Sequence, residues 1–138
     1  MTTTQLERTR ENVDARILQQ RLRQQVRGEI RFDSGSRALF STDASNYRQV
    51  PIGVVIPRTI DDVVTTVRIC REFGAPIVAR GGGTSLAGQT CNVAVCIDFS
   101  KYLHHLVELN PDEKYAVVEP GIVLDSLRDA AEEHHLTF

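Results

Sequence analysis

Residues 80–90 read RGGGTSLAGQT, and this stretch decides the fold. Its three consecutive glycines, Gly81–Gly83, remove every side chain from one turn, so the backbone can adopt positive φ and come close to a ligand. Successive backbone N–H groups in such a turn form a concavity that binds anions. Further donors stand nearby, four of them neutral and one charged: Thr84, Ser85, Gln89, Thr90 and Arg80. Many donors with little net charge favour a pyrophosphate as the ligand.

Two common phosphate loops do not match this stretch. A Walker A loop ends in Gly-Lys-Ser/Thr, and residues 80–90 contain no lysine. The dinucleotide fingerprint G-x-G-x-x-G fails because Leu86 stands where its last glycine belongs, and that fingerprint opens a helix. Here the chain runs on into Val93–Asp98, which reads as a strand. A tight turn without a ligand is the alternative interpretation, and the pattern around the glycines disfavours it.

The residues before the loop predict a strand–helix–strand unit. Ile52–Ile56 is a short apolar run between two prolines, typical of a buried strand. The sequence Thr59-Ile60-Asp61-Asp62 resembles a capping box with Asp in place of Glu, and it precedes an apolar-periodic helix that ends at Gly74. Ile77–Ala79 is the second strand. We expect the two strands to be parallel, with a right-handed crossover between them.

The flanks complete an α+β (α/β) fold with a small parallel βαβ core and an appended antiparallel hairpin. The hairpin strands are Leu106–Leu109 and Ala116–Val118, joined by a turn at Asn110–Lys114. The other predicted elements are a helix over residues 5–27, a short helix through Arg37–Phe40 and a final helix over Leu124–His135. We expect residues 1–48 to be a helical arm with a capped turn segment, and residues 49–138 to be the ligand-binding domain.

Composition excludes several classes of protein. The formal net charge of −2, divided as +3 over residues 1–48 and −5 over residues 49–138, gives no indication of nucleic-acid binding. Cys70, Cys91 and Cys96 have neither the number nor the spacing of a disulfide framework or a zinc site. Adjacent His pairs point apart, so no metal is expected. No apolar run approaches the roughly 18 residues of a membrane span, no signal peptide is evident, and a cytoplasmic location is expected.

A resemblance to a known family now adds to these inferences. VVIPRT at residues 54–59, CREFG at 70–74 and PIVARGGGTSLAGQ at 76–89 resemble the FAD-binding domain (PCMH type) of the vanillyl-alcohol oxidase superfamily. Within it, the chain is most similar to the glycolate oxidase and D-lactate dehydrogenase branch. The resemblance covers roughly residues 29–138, which looks like the N-terminal half of such a domain.

The family's site residues transfer to this chain one by one. The resemblance implies that the FAD pyrophosphate is wrapped by Gly81, Gly82, Gly83, Thr84, Ser85 and Gly88, with Arg80 and Gln89 beside it. It places Pro57 at the adenine side and makes Gly121 a second close approach of backbone to cofactor. Some relatives carry, at the position of Thr84, a histidine that bonds the flavin covalently. Threonine has no nucleophilic ring nitrogen, so non-covalent FAD is expected.

No residue of this chain is expected to be catalytic. The resemblance implies an oxidoreductase acting on a small D-2-hydroxy acid, with the substrate contacts further along a longer protein. The apolar ending Leu136-Thr137-Phe138 is typical of a sequence interrupted before its next strand, so we expect the chain alone to be inactive and to bind FAD weakly. The alternative is an inactive fragment or nucleotide-binding module that retains only the pyrophosphate loop. The segment Asp43–Arg48 is expected to be a capped turn, with a possible role near the substrate.

Overall fold

A four-stranded sheet forms the centre of the fold. The structure is a computed structural model, and it describes residues 13–137. The strands are β1 (Glu29–Arg31), β2 (Gly53–Ile56), β3 (Ile77–Arg80) and β4 (Val95–Asp98), arranged in the order β1-β2-β4-β3. β4 runs parallel to both β2 and β3, whereas β1 pairs with β2 in the antiparallel sense. The three parallel strands therefore end at one edge of the sheet.

The predicted parallel unit is present, but its two strands are not neighbours. β2 and β3 run in the same direction, as expected, and β4 lies between them and pairs with both. The burial pattern gives the reason. β2 and β4 are buried at every position, whereas β3 alternates between exposed and half-buried residues, which suits an edge strand. The strand predicted over Val93–Asp98 begins at Val95.

Within residues 13–137, four helices accompany the sheet: α1 (Ala15–Gln25), α2 (Ser34–Leu39), α3 (Ile60–Glu72) and α4 (Leu124–Glu132). α1 and α3 pack on the same core, where Leu18 and Leu22 of α1 meet Ile69 of α3, and all three are fully buried. The helix predicted over residues 5–27 thus begins at Ala15 in the described part, where the Asp14 carboxylate caps it. The portion before Val13 lies outside the described residues.

An antiparallel hairpin follows the sheet, as the sequence predicts. Its strands are β5 (Leu106–Asn110) and β6 (Tyr115–Val118). The turn between them is stabilised by the Asn110 side chain, which accepts a hydrogen bond from Glu113 N at 2.9 Å. Lys114 completes the turn with φ +56°. The hairpin thus leads the chain back toward the sheet before α4 begins.

The start of α3 differs from the predicted capping box. Thr59 caps the helix by accepting from Asp62 N at 3.2 Å, as expected. The Asp62 carboxylate, however, does not return to Thr59. It is buried and accepts from Arg27 N at 2.8 Å and from Arg58 N at 2.9 Å. These two donors belong to the segments after α1 and after β2, so the carboxylate links segments rather than capping its own helix.

Two features near the N-terminal side were predicted poorly. β1 was missed because a strand of three residues, Glu-Ile-Arg, carries neither an apolar run nor a recognisable alternation. The short helix expected through Arg37–Phe40 is α2, which starts three residues earlier because the Asp33 carboxylate caps Ser36 N at 2.8 Å.

None of the helices among residues 13–137 is both long enough and apolar enough to cross a membrane.

Candidate functional site

The glycine-rich loop, residues 81–90, connects the edge strand β3 to the central strand β4 without regular secondary structure. It leaves β3 at the carboxyl end of the parallel strands. In open α/β sheets this is the edge at which ligands bind, since the loops there diverge and leave a crevice. The loop that the sequence singled out therefore lies where a ligand site is expected.

Backbone N–H groups in the first part of the loop are free. From Gly81 to Leu86, no N–H group donates a hydrogen bond to any residue in the described part of the chain. The next one, Ala87 N, donates to Gln89 Oε1 at 3.2 Å. Unpaired backbone donors in folded proteins find water or a ligand. Six such groups in succession provide the donor set that an anion requires.

The three glycines serve different purposes. Gly83 has φ +69°, and a Cβ there would lie 2.5 Å from Arg80 Nη2, so both its conformation and its packing require glycine. Gly81 and Gly82 are in open surroundings. A Cβ on Gly82 would meet nothing nearer than the Thr84 methyl at 3.7 Å, and one on Gly81 nothing nearer than Pro120 O at 3.9 Å. The space beside Gly81 and Gly82 is therefore free for a ligand.

A cleft of about 410 Å³ opens beside this part of the loop. Its lining combines the loop with the segment that leads into α4: Gly82, Thr84, Ser100, Gly121, Ile122, Val123, Leu124 and Asp125. Val123 stands at the N-cap of α4 and makes no side-chain cap hydrogen bond, so the first N–H groups of this helix are uncapped. A helix N-terminus carries a partial positive charge. The cleft thus brings backbone donors from two elements together.

The side chains named by the sequence have unequal access to this cleft. Thr84 and Gln89 are exposed, and Thr84 lines the cleft, whereas Ser85 and Gly88 are half-buried. Pro57 is fully buried, so its ring offers no surface to a ligand in this conformation. Any contribution of Pro57 to the adenine side would come from the rigid backbone at the end of β2.

Arg80 supports the loop from beneath instead of facing the cleft. Its Nη1 donates to Thr42 O at 2.8 Å and to Phe40 O at 3.4 Å, and its guanidinium lies 5.1 Å from the centre of the Phe40 ring. The same guanidinium lies against Gly83. Arg80 thus supports the loop through the chain's own carbonyls. That it also adds a charge beside the phosphates stays a prediction.

Gly121 is also required by the chain itself. A Cβ at this position would lie 2.3 Å from Phe99 O and 2.7 Å from Leu103 O, and Gly121 N donates to Leu103 O at 2.8 Å. Gly121 does line the cleft, as the resemblance implies. Its lack of a side chain is nevertheless explained by close packing against the backbone after β4, without reference to a ligand.

The 40–47 segment, residues 40 to 47, makes contacts with the glycine-rich loop that sequence reasoning missed. The predicted capped turn is present, because Asp43 Oδ1 accepts from Ser45 N at 2.9 Å and Ser45 Oγ accepts from Tyr47 N at 3.1 Å. The segment also packs on the glycine-rich loop. A Cβ on Gly88, whose φ is +77°, would lie 2.7 Å from the Tyr47 ring. No local sequence pattern predicts this contact, because it joins residues about forty positions apart.

The three cysteines belong to the core, as expected. All are free and buried. Burial raises the pKa of the Cys96 thiol to about 12 and that of Cys70 to about 11, and it also raises the pKa of Cys91, to which the Asp43 charge contributes. Thiols with raised pKa values remain protonated and are poor nucleophiles. Redox chemistry at these positions is therefore disfavoured.

Comparison with known proteins identifies what this geometry resembles. The family described as FAD binding domain matches residues 51–138. The chain is 33% identical over 118 residues to D-2-hydroxyglutarate dehydrogenase of Pseudomonas putida, covering 81% of this chain and 11% of the relative. It is 35% identical over 109 residues to Glycolate oxidase subunit GlcD of Bacillus subtilis, covering 75% of this chain and 23% of the relative. The chain thus spans between about a tenth and a quarter of the length of these relatives.

Solved structures show the same fold. The chain matches p-cresol methylhydroxylase with substrate bound at a TM-score of 0.66 and 20% identity, over 88% of this chain and 25% of that one. It matches the wild-type BBE-like 1 protein of Physcomitrella patens at a TM-score of 0.66 and 26% identity, over 84% of this chain and 26% of that one. Each match extends over more than four fifths of this chain, so the likeness concerns most of the fold described above.

Proposed function

The chain belongs to the FAD binding domain family, and from this premise we propose that its glycine-rich loop holds the pyrophosphate of FAD through backbone N–H groups. The observation that carries the proposal is the run of six free N–H groups from Gly81 to Leu86. A pyrophosphate presents several acceptor oxygens close together, and it matches a donor set of this kind better than a single carboxylate does.

The surroundings of the loop fit the diphosphate end of the cofactor. The open space beside Gly81 and Gly82 allows phosphate oxygens to approach the backbone. The cleft volume, about 410 Å³, lies in the range of small-molecule sites. The uncapped start of α4 places helix N–H groups on the opposite wall, where the Asp125 carboxylate also lies. We assign the pyrophosphate contacts to Gly81, Gly82, Gly83, Thr84, Ser85 and Gly88, with Gln89 and Gly121 beside them.

We propose that the FAD is held without a covalent bond. Thr84 lines the cleft, and a threonine hydroxyl donates and accepts hydrogen bonds but has no ring nitrogen to attach to a flavin. The role of Arg80 in this proposal is indirect, since it holds Gly83 from below. Pro57 contributes the rigid end of β2, which fixes where the chain turns away from the sheet edge.

We propose that the protein takes part in the oxidation of a small D-2-hydroxy acid. The relatives named above support this substrate class, because their names refer to D-2-hydroxyglutarate and glycolate. FAD, when bound, supplies a ring that accepts a hydride. The residues of this chain would hold the diphosphate end of the cofactor in place. The three free cysteines support a reducing compartment, and we propose a cytoplasmic location.

The proposal is tested by a titration of the isotope-labelled chain observed by NMR. We expect FAD to shift the amide signals of residues 81–86, and ADP to shift the same signals, because both carry a pyrophosphate. Riboflavin has no phosphate and serves as the control, and it should leave these signals in place. The pyrophosphate assignment is wrong if riboflavin shifts them as FAD does, or if FAD leaves them unchanged. ADP binding more tightly than FAD would favour the alternative of a nucleotide-binding module.

Gly82→Val provides the matching variant. Gly82 does not have positive φ, and the nearest atom to an added Cβ is 3.7 Å away, so the fold should tolerate a side chain. That side chain would occupy the space assigned to phosphate oxygens. We expect FAD affinity to fall at least about tenfold, which corresponds to roughly 1.4 kcal/mol, while the urea unfolding midpoint stays at the parent value. Undiminished FAD binding by a folded Gly82→Val protein would contradict the assignment.

A further inference from the structure

The 40–47 segment binds the C-terminal end of the glycine-rich loop through the carboxylate of Asp43. Asp43 Oδ2 accepts from Thr90 Oγ1 at 3.0 Å and from Thr90 N at 3.4 Å. Its other oxygen, Oδ1, is taken by Ser45 N at 2.9 Å. Hydrogen bonds from Ser45 and Thr90 lower the pKa of Asp43, so the carboxylate is ionised at neutral pH. A charged acceptor holds its donors more strongly than a neutral one does.

The same segment fixes the beginning of the loop. Ala44 N, the residue after Asp43, donates to Gly83 O at 3.0 Å. Two consecutive residues of the 40–47 segment therefore hold two points of the loop that are seven positions apart. Asp43 secures the end at Thr90, and Ala44 secures the turn at Gly83.

These contacts leave the anion-binding donors untouched. The 40–47 segment uses the carbonyl of Gly83 and the N–H and hydroxyl of Thr90, and it uses none of the N–H groups from Gly81 to Leu86. A glycine-rich loop has more backbone freedom to lose than other sequences, and that loss weakens binding when the ligand itself must order the loop. A loop already held at both ends avoids much of this cost.

We propose that Asp43 is a positioning residue for the FAD pyrophosphate: it orders the glycine-rich loop through Thr90 before the cofactor binds. The inference rests on the proposed function and deepens it, since it concerns the same site. Asp43 does not touch the cofactor in this account. It acts through Thr90, and its removal leaves the donors present but no longer fixed in relation to one another.

Asp33 offers a matched control for a merely structural role. Its carboxylate also accepts a backbone hydrogen bond, from Ser36 N at 2.8 Å, and that bond lowers its pKa. It caps α2, and none of its hydrogen bonds reaches the glycine-rich loop. Asp43→Asn and Asp33→Asn therefore remove the same charge from two capped turns, only one of which holds the loop.

The experiment compares FAD affinity and unfolding in five variants of the whole chain: Asp43→Asn, Thr90→Val, Asp43→Asn with Thr90→Val, Thr90→Ser, and Asp33→Asn. We expect Asp43→Asn and Thr90→Val each to weaken FAD binding by about tenfold, the size expected for loss of a hydrogen bond to a charged group. The double variant should bind FAD as tightly as the single variant with the lower affinity, because both changes break the same interaction. Thr90→Ser keeps the hydroxyl and should bind FAD like the parent, as should Asp33→Asn.

Several outcomes overturn the inference. Parent-like FAD affinity in folded Asp43→Asn and Thr90→Val proteins would show that the contact does not prepare the loop. An equal loss in Asp33→Asn would show a general effect of stability. If Asp43→Asn does not fold, the comparison of Thr90→Val with Thr90→Ser still decides the matter. Gly82→Val distinguishes the pyrophosphate assignment from the positioning role of Asp43. If Gly82→Val loses FAD while the Asp43 and Thr90 variants retain it, the positioning role fails and the pyrophosphate assignment stands.

Discussion

Gly121 and Gly82 line the same cleft, but they are glycine for different reasons. Gly82 is surrounded by open space, whereas Gly121 is pressed against the carbonyls of Phe99 and Leu103. A side chain at Gly82 would exclude a ligand and spare the fold. A side chain at Gly121 would displace backbone whether or not a ligand is present. The two glycines therefore separate ligand binding from stability within one site.

Gly121→Ala should destabilise the protein without FAD. The added Cβ would lie 2.3 Å from Phe99 O, and a backbone atom cannot move aside as the end of a flexible side chain does. We expect the free energy of unfolding to fall by about 2 kcal/mol, within the range for overpacked sites. Urea denaturation of the parent and the variant, both without FAD, measures this. A parent-like midpoint would show that Gly121 is conformationally tolerant and that its role belongs to the ligand.

The sequence predicted the glycine-rich loop but not the roles of its members. Three adjacent glycines indicate close approach of backbone to something, and Gly82 beside the open cleft agrees with that. Arg80 lies under Gly83 because it is held by Phe40 and Thr42, about forty residues away. The positive φ of Gly83 belongs to the same arrangement. Local patterns carry no information about such contacts, so the supporting role of Arg80 could not be inferred from spacing.

At the scale of elements, Asp62 joins the start of α3 to the rest of the fold. Its side chain is buried, and it accepts from Arg27 N, after α1, and from Arg58 N, after β2. The sequence predicted that Asp62 takes the place of Glu in a capping box. It could not predict the partners, because Arg27 N is brought to Asp62 by the packing of α1 against α3.

Asp62→Ala should cost more stability than loss of the helix cap itself. The change leaves two partly buried backbone N–H groups without their acceptor. We expect the free energy of unfolding to fall by about 2 kcal/mol. Thr59→Ala, which removes only the side-chain cap at the same helix end, should cost about 1 kcal/mol. Urea denaturation of both variants gives the comparison. Equal losses would indicate that water replaces Asp62 at both donors.

The order of the strands in the sheet could not be predicted from the sequence. Each of β2, β3 and β4 was predicted as a strand, and the parallel direction of β2 and β3 followed from the helix between them. That β4 enters between them depends on the burial of both its faces, which is a property of the assembled sheet. The apolar run at Val93–Ile97 is consistent with a central strand, but it does not say which neighbours the strand will have.

At the scale of the whole molecule, several carboxylates favour the folded state when ionised. Hydrogen bonds from Lys101, Arg31 and Tyr102 lower the pKa of Glu29 from its ordinary 4.5 to about 2. Hydrogen bonds also lower the pKa values of three other carboxyl groups: Asp33, Asp43 and Glu119. A carboxyl group with a lower pKa in the folded state binds protons more readily when unfolded, so acid favours unfolding.

We therefore expect stability to be lost as the pH falls, with Glu29 as one identifiable source. Its contribution is fully present above its unfolded pKa of about 4.5 and disappears as the pH falls through about 2. Glu29→Gln should be less stable than the parent at neutral pH, and its stability should decline less steeply across this interval. Urea denaturation at a series of pH values measures both slopes. Parallel curves for parent and variant would show that Glu29 titrates normally in the folded protein.

The position of β4 between β2 and β3 also sets a limit on when the protein can assemble during translation. A ribosome delivers β2, α3, β3 and the glycine-rich loop before residues 95–98 have left it. Until then β3 has no strand beside it, because β4 is its partner in the sheet. A nascent chain halted before β4 therefore contains the glycine-rich loop and the 40–47 segment that contacts it, but it lacks the strand that joins β3 to β2. The sheet that carries the loop is therefore completed late, when one central strand is inserted between two that were made earlier.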